Sequence, residues 1–363
     1  MRSEKNQKNW GDDLSLHVDI EKTFPDFKLS AKLEGEDEVV ALLGGSGCGK
    51  SLTLKCIAGI EKPDRGRIVI DGEVVFDSEQ RIHIPPQARR VGYLFQNYAL
   101  FPTMTVWNNI ARSIKAPKQE RASITDAIIK QFQLEGVKQL YPRQISGGQQ
   151  QRAALARILV SKPRILLLDE PFSALDTHLK WHMEQEICAI LAGFKGTTVF
   201  VSHNRDEVYR ISDKIAVMHD GKVVSTGTKE DIFDAPKTLE AALMTGCKNI
   251  SKAGKVDDFH VKALDWGVIL QTARPVPNQV KHVSVRAHHF KRAPAMSAEE
   301  NIFPCRIHRI IEEPFERVFL FSFDENARKS ANLQFELSKE LCADWDLGDF
   351  VLFVPPDRVM CLE

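Results

Sequence analysis

The sequence predicts an α/β fold, a mostly parallel sheet covered by helices, followed by a smaller all-β domain. Three observations carry that expectation. From about Leu14 to Met244 short apolar runs alternate with longer stretches of helical periodicity. The runs Val39 to Leu43, Ile165 to Leu168 and Val199 to Ser202 lack polar alternation, as parallel strands covered on both faces should. After Met244 the texture changes to short strand-like pieces at Val283 to Arg286, Cys305 to Ile310, Val318 to Phe323, Leu333 to Leu337 and Phe350 to Val354, the spacing of a small β module. The expected boundaries are 13–245 for the first domain, a linker over 246–255 that holds Gly246 and Gly254, and 256–363 for the second.

Within the first domain Ile68 to Ile70, Asp71-Gly72 and Val74 to Phe76 read as a hairpin, because Asp-Gly suits the positive φ of a tight primed turn. Val91 to Phe95 reads as a further strand. Between Ser146 and Val160 the apolar residues Leu155, Ile158 and Leu159 share one side of a helix that opens on a glycine pair, and Lys162-Pro163 ends it before the next strand.

Composition narrows the class. The 363 residues exceed the roughly 250 at which single cores stop growing, so two domains are expected. With 43% hydrophobic and 27% charged residues, and 49 basic against 49 acidic side chains, the chain resembles an ordinary soluble protein, and no nucleic-acid partner is indicated. No apolar run approaches the ~20 residues of a spanning helix, and the start MRSEKNQKNW lacks a signal peptide's apolar core, so any work at a membrane is expected from outside the lipid. The seven cysteines are scattered without C-x-x-C spacing, which favours reduced thiols over a disulfide framework or a zinc site.

Chemistry enters at Gly44-Gly45-Ser46-Gly47-Cys48-Gly49-Lys50-Ser51. It follows the strand Val39 to Leu43 and precedes the helical pattern Leu52 to Ile60, the context a G-x-x-x-x-G-K-[ST] phosphate loop requires. Its glycines let backbone N–H groups converge on phosphate oxygens at a helix N-terminus, Lys50 reaches the β- and γ-phosphates, and the Ser51 hydroxyl is a ligand for Mg²⁺. Gly44 through Leu52 are thus the expected contacts to ATP. Downstream, the buried run Ile165 to Leu168 ends in Asp169-Glu170. Successive strand residues point opposite ways, so Asp169 is assigned to the Mg²⁺ shell and Glu170 to the attacking water, as proton acceptor.

These two motifs occur together in many phosphate-loop ATPases. The run Ile145-Ser146-Gly147-Gly148-Gln149, followed by Gln150-Gln151-Arg152, narrows the field, and here the sequence resembles the ABC ATPase family of importer type. The phosphate loop, Gln96, the run ending at Gln149, the Asp169-Glu170 strand end, Ser173-Ala174-Leu175-Asp176 and His203 stand in that family's order. The resemblance implies a P-loop NTPase ABC cassette, with antiparallel β and helical subdomains, plus an OB-like C-terminal barrel. It implies that Ser146, Gly147, Gly148 and Gln149, with Asp176, line ATP held by a second copy, so that a head-to-tail homodimer closes over ATP and Mg²⁺. It implies that His203 holds the γ-phosphate and orients Glu170, and that Gln96 touches Mg²⁺ or the attacking water and reports occupancy to a permease. It also implies an aromatic stacked on adenine, Phe24 or alternatively Phe27. Its implied partners are integral-membrane permease subunits at the cytoplasmic face of the cell membrane and, through them, an external solute-binding protein.

Gly66 to Gly72, Pro86 to Gln96 and Leu100-Phe101-Pro102 resemble importers of tetrahedral oxyanions, and molybdate is the solute expected on that ground. Sulfate, iron or sugar import, or a soluble ABC ATPase without transport, is the alternative. Val283 to His288 is similar to the start of an importer C-terminal barrel, without the usual proline and glutamate after the arginine. The cluster Lys281, His282, Arg286, His288, His289, Lys291 and Arg292 reads either as an oxyanion-sensing site or as a solvated basic edge.

Overall fold

A computed structural model describes residues 15–173, 177–293, 301–323, 333–342 and 348–363, with backbone alone for 177–179 and 349. The chain divides into two compact units that part between Lys229 and Glu230.

In the first unit the described residues form one eleven-stranded sheet. Its strands are β1 (Leu16–Phe24), β2 (Phe27–Gly35), β3 (Val39–Gly44), β4 (Arg65–Ile70), β5 (Glu73–Asp77), β6 (Ile82–His83), β7 (Val91–Leu94), β8 (Ile165–Asp169), β9 (Thr198–Ser202), β10 (Lys214–His219) and β11 (Lys222–Thr228). They lie in the order β6-β5-β4-β1-β2-β11-β10-β3-β9-β8-β7. The half from β10 to β7 is parallel, and β8 and β9 are buried along their whole length, as the unbroken apolar runs require. The half from β6 to β2 is antiparallel and is joined to the other through β11, which pairs with β10 along its length and with β2 at Lys222 and Ser30. In the β4–β5 hairpin Asp71 and Gly72 take φ of 50° and 72°, the expected primed turn.

Six helices complete this unit among the described residues: α1 (Lys50–Ala58), α2 (Val106–Ala111), α3 (Lys118–Gln131), α4 (Gly147–Leu159), α5 (Thr177–Ala192) and α6 (Arg205–Ile211). Helices α2, α3 and α4 pack on one another as a helical subdomain, and α4 also rests on β7. The core gathers Leu16, Val18 and Ile20 of β1, Leu54 and Ile57 of α1, and Ile165 and Leu167 of β8. Because β3, β8 and β9 are neighbours running the same way, their C-terminal ends, Gly44, Asp169 and Ser202, open on one edge of the sheet. In open α/β sheets that edge is where ligands bind.

The second unit holds two antiparallel five-stranded sheets among the described residues, the half-barrels of an OB-like domain. The first is built from β12 (Asn249–Lys255), β13 (His260–Ala263), β14 (Val268–Gln271), β15 (His282–Val285) and β21 (Met360–Leu362). The second is built from β16 (Lys291–Arg292), β17 (Ile302–Glu312), β18 (Glu316–Ser322), β19 (Leu333–Ser338) and β20 (Gly348–Phe353). The strand-like pieces expected after Met244 are all strands here. Their core centres on Phe290, whose ring meets Phe321 edge to face at 5.2 Å.

One expectation is corrected, and one of two open readings is narrowed. Residues 246–255 are no linker: Asn249–Lys255 is strand β12, paired with β13 and β15, and the units part at Lys229 rather than at 245. The two glycines that suggested flexibility have structural places. Gly246, with φ of 85°, ends the helix Leu239–Met244, its N–H bonded to the Leu243 carbonyl, while Gly254 lies within the β12 ladder. The basic cluster is not an open anion site either. Arg286 is buried and spends its guanidinium on the Thr245 carbonyl at 2.9 Å, the Thr245 hydroxyl at 3.0 Å and the Phe233 carbonyl. Burial, then the neighbouring His288, push the His289 imidazole down to about 4, so that ring carries no charge at neutral pH.

Candidate active site

The phosphate loop is shaped by its glycines. Gly47 and Gly49 adopt φ of 80° and 103°, and a Cβ on Gly49 would press on Leu29 and Phe27, so the tight path into α1 is closed to larger residues. No side chain caps the N-terminus of α1 and its first turn holds no acidic residue. Its leading N–H groups and positive dipole end are therefore free to receive an anion. Lys50 is buried inside the loop, its ammonium donating to the Gly44 and Gly45 carbonyls at 2.8 and 2.9 Å. That contact holds the charge within the loop.

The next residue, Ser51, joins the loop to the acidic strand end. Its hydroxyl donates to Asp169 Oδ1 at 2.7 Å, and the Tyr93 hydroxyl donates to Asp169 Oδ2 at 2.9 Å. Burial, then the Asp169 carboxylate, push the Tyr93 phenol upward, so it stays a donor. The pair of Ser51 and Asp169 oxygens suits Mg²⁺, a hard cation that takes few protein ligands and completes its shell from phosphate and water.

Glu170, one residue on, has φ of 46°, a left-handed conformation costing an L-residue about 1–2 kcal/mol. The chain thereby turns sharply off β8, held by Glu170 N–H to the Val201 carbonyl at 3.1 Å. The Glu170 side chain faces His203, with Oε1 and Nδ1 3.5 Å apart. Gln96 reaches the same corner, its amide donating to the Ser173 hydroxyl at 3.2 Å, which donates in turn to the Glu170 carbonyl at 3.0 Å. The fold therefore gathers Lys50, Ser51, Gln96, Asp169, Glu170 and His203 about one sheet edge.

His203 is placed by residues that the sequence reading did not single out. Ser202 donates to Glu207 at 2.6 Å and accepts from Asn204 N–H, Lys180 pairs with Glu207, and Asn204 caps α6 by accepting from the Asp206 and Glu207 amides. The signal was present as Asn204 followed three residues later by Glu207. Asn204→Ala is expected to lower stability by about 1 kcal/mol, read as a fall in the denaturation midpoint.

The serine-glycine-glycine turn forms the start of α4. Ser146 is its N-cap, in a reciprocal capping box with Gln149: Gln149 N–H donates to Ser146 Oγ at 3.3 Å, and Ser146 N–H to Gln149 Oε1 at 3.0 Å. Ser146 is exposed and Gly147 half-exposed, so this end of the helix is open to a ligand from outside the chain. Asp176 lies outside the described residues. Of the aromatic candidates, Phe27 packs toward Gly49 of the phosphate loop, whereas Phe24 is exposed at the hairpin end with the Lys22 ammonium 5.2 Å from its ring centre.

Residues 28–173 match the family model described as ABC transporter. The chain is 41% identical over 253 residues to the spermidine/putrescine import ATP-binding protein PotA of Shigella dysenteriae serotype 1 (strain Sd197), a match covering 67% of this chain and 65% of that protein. To the protein of the same name in Escherichia coli (strain K12) it is 43% identical over 232 residues, covering 62% and 60%. The chain thus spans less than two thirds of the length of these curated relatives. Two solved structures share the fold at 27% identity: the ATP-binding cassette MJ0796 as a dimer in a post-hydrolysis state with ADP and Pi, and cbiO1 from Clostridium perfringens, part of the ABC transporter complex cbiONQ. The TM-scores are 0.51 and 0.53, over 59% and 61% of this chain and 98% and 91% of theirs. These relatives name polyamines, and the molybdate expectation gains no support from them. The matched stretch, with the sheet and phosphate loop it builds, has the fold of an ABC-cassette P-loop NTPase.

Proposed function

We propose that this chain binds ATP with Mg²⁺ and hydrolyses it as the ATP-binding subunit of an importer, two copies closing head to tail over two nucleotides. The observation that carries the reading is the Ser51–Asp169–Glu170–His203 row along one sheet edge, directly beside the uncapped N-terminus of α1. The glycine N–H groups and Lys50 hold the phosphates, and Ser51 and Asp169 hold the metal, which supplies charge neutralisation on the phosphate oxygens. Glu170 accepts the proton of the attacking water, and His203, 3.5 Å away, fixes the Glu170 carboxylate. Phe27 or Phe24 supplies the surface for adenine. Ser146, Gly147, Gly148 and Gln149 present a helix N-terminus to the nucleotide of the other copy.

Ser146→Arg fills that helix end with a bulky cation. It is expected to leave nucleotide binding to Lys50 and Ser51 intact while abolishing the ATP-dependent dimer on size-exclusion chromatography. A variant that still dimerised would remove the head-to-tail arrangement from this reading.

For the imported solute we propose a polyamine, supported by the 41–43% identity to spermidine/putrescine import proteins. Solute contacts belong to permease and binding-protein partners rather than to this chain, so the test is uptake. Cells lacking this chain should lose accumulation of labelled spermidine or putrescine and keep that of molybdate. The reverse result would return the solute to the oxyanions.

A further inference from the structure

Tyr93 stands outside the motifs that define the site, yet its hydroxyl ends on the carboxylate assigned to the metal. The geometry follows from sheet register. Tyr93 on β7 lies opposite Leu167 on the parallel strand β8, and Asp169 is two residues beyond Leu167, so both side chains rise on the same face. The long phenol reaches forward to Asp169 Oδ2 at 2.9 Å, while Ser51 occupies Oδ1 at 2.7 Å. Asp169 is 7% exposed and Tyr93 9%, so neither group has bulk water as a substitute partner. The tyrosine ring is braced in turn, stacked on Phe95 with centroids 4.1 Å apart and planes at 26°.

We propose that Tyr93 is a positioning residue for the divalent cation: its hydroxyl fixes the rotation of the Asp169 carboxylate so that the oxygen shared with Ser51 is presented to the metal. The inference rests on the reading of this site as one for ATP with Mg²⁺. A carboxylate held at only one oxygen turns about its terminal bond. With both oxygens tied, the donor position is set before the ion arrives, and loss of such an outer partner weakens metal binding.

Tyr93→Phe removes one oxygen atom and keeps the stacked ring. The test is made in the full-length chain carrying Glu170→Gln, so that nucleotide is not consumed. Two affinities are measured: a fluorescent ATP analogue in the presence of EDTA, and Mn²⁺ titrated into the nucleotide-loaded protein by electron paramagnetic resonance. Tyr93→Phe is expected to leave the first unchanged and to weaken Mn²⁺ by about tenfold, equivalent to about 1.4 kcal/mol. A role in packing alone predicts a lower melting temperature with unaltered Mn²⁺ affinity, and that result overturns the proposal. Tyr93→Leu, which also removes the ring, should show the Mn²⁺ defect of Tyr93→Phe together with a loss of stability. Equal Mn²⁺ affinity in Tyr93→Leu and the parent likewise overturns it. Failure of the parent itself to bind nucleotide with Mn²⁺ would sink the reading of the site, and this role with it.

Discussion

Glu170→Gln is expected to cut steady-state phosphate release by about 10²- to 10⁴-fold, the usual contribution of a positioned general base. The reason is local. Glu170 leaves β8 in a left-handed turn that aims its carboxylate across the end of β9 toward His203, 3.5 Å away, and glutamine keeps that shape while losing the ability to accept a proton. Lys50, Ser51 and Asp169 do not touch the altered group, so equilibrium binding of ATP should change little. With binding retained and turnover blocked, a dimer should persist on size-exclusion chromatography in ATP and Mg²⁺. Turnover within a factor of two or so of the parent would move the base elsewhere.

Arg89→Met is expected to destabilise the first unit by about 3 kcal/mol or more, the cost of leaving buried hydrogen-bond partners unmade. Arg89 is 1% exposed, and its guanidinium donates to the carbonyls of Ile84 at 2.7 Å, Cys56 at 2.9 Å and Ile57 at 2.7 Å. Cys56 and Ile57 lie in the last turn of α1, where carbonyls lack the regular helical donor and the Gly59 N–H meets that of Cys56, so one arginine helps to close the helix whose other end is the phosphate loop. Burial lowers Arg89 to about 10, which leaves it charged at neutral pH and favourably placed against the negative end of the helix dipole. Gly59 makes room for it: a Cβ there would stand 2.6 Å from Arg89 Nε. In urea unfolding the midpoint should fall by about 1 M or more. Arg89→Lys should restore only part, because an ammonium cannot span three carbonyls as the planar fork does. An unchanged midpoint in Arg89→Met would mean that water replaces the guanidinium.

The candidate site residues were legible because they are written in short stretches. The phosphate loop, the Asp169-Glu170 strand end and the glycine pair that opens α4 each need only a few consecutive residues and a known backbone shape. The β4–β5 turn was readable for the same reason. The strand-like pieces after Met244 were readable from their apolar runs. The linker was misread because glycine at 246 and 254 carries two meanings, free chain or a fixed backbone place, and only pairing with β13 and β15 decides between them. The basic cluster stayed open between an anion site and a solvated edge, since a run of cations does not reveal that Arg286 is consumed by carbonyls of Phe233 and Thr245.

By itself, the sequence determined which backbone conformations are available and which residues are candidates for phosphate, metal and water chemistry, since those follow from residue type and periodicity within one element. Tertiary structure alone decided which elements became neighbours. It set Tyr93 on an aspartate 76 positions away, Arg89 on the end of α1, and Phe27 rather than Phe24 against the phosphate loop. Those contacts depend on sheet order and packing of the whole core, a many-body outcome that no local pattern encodes.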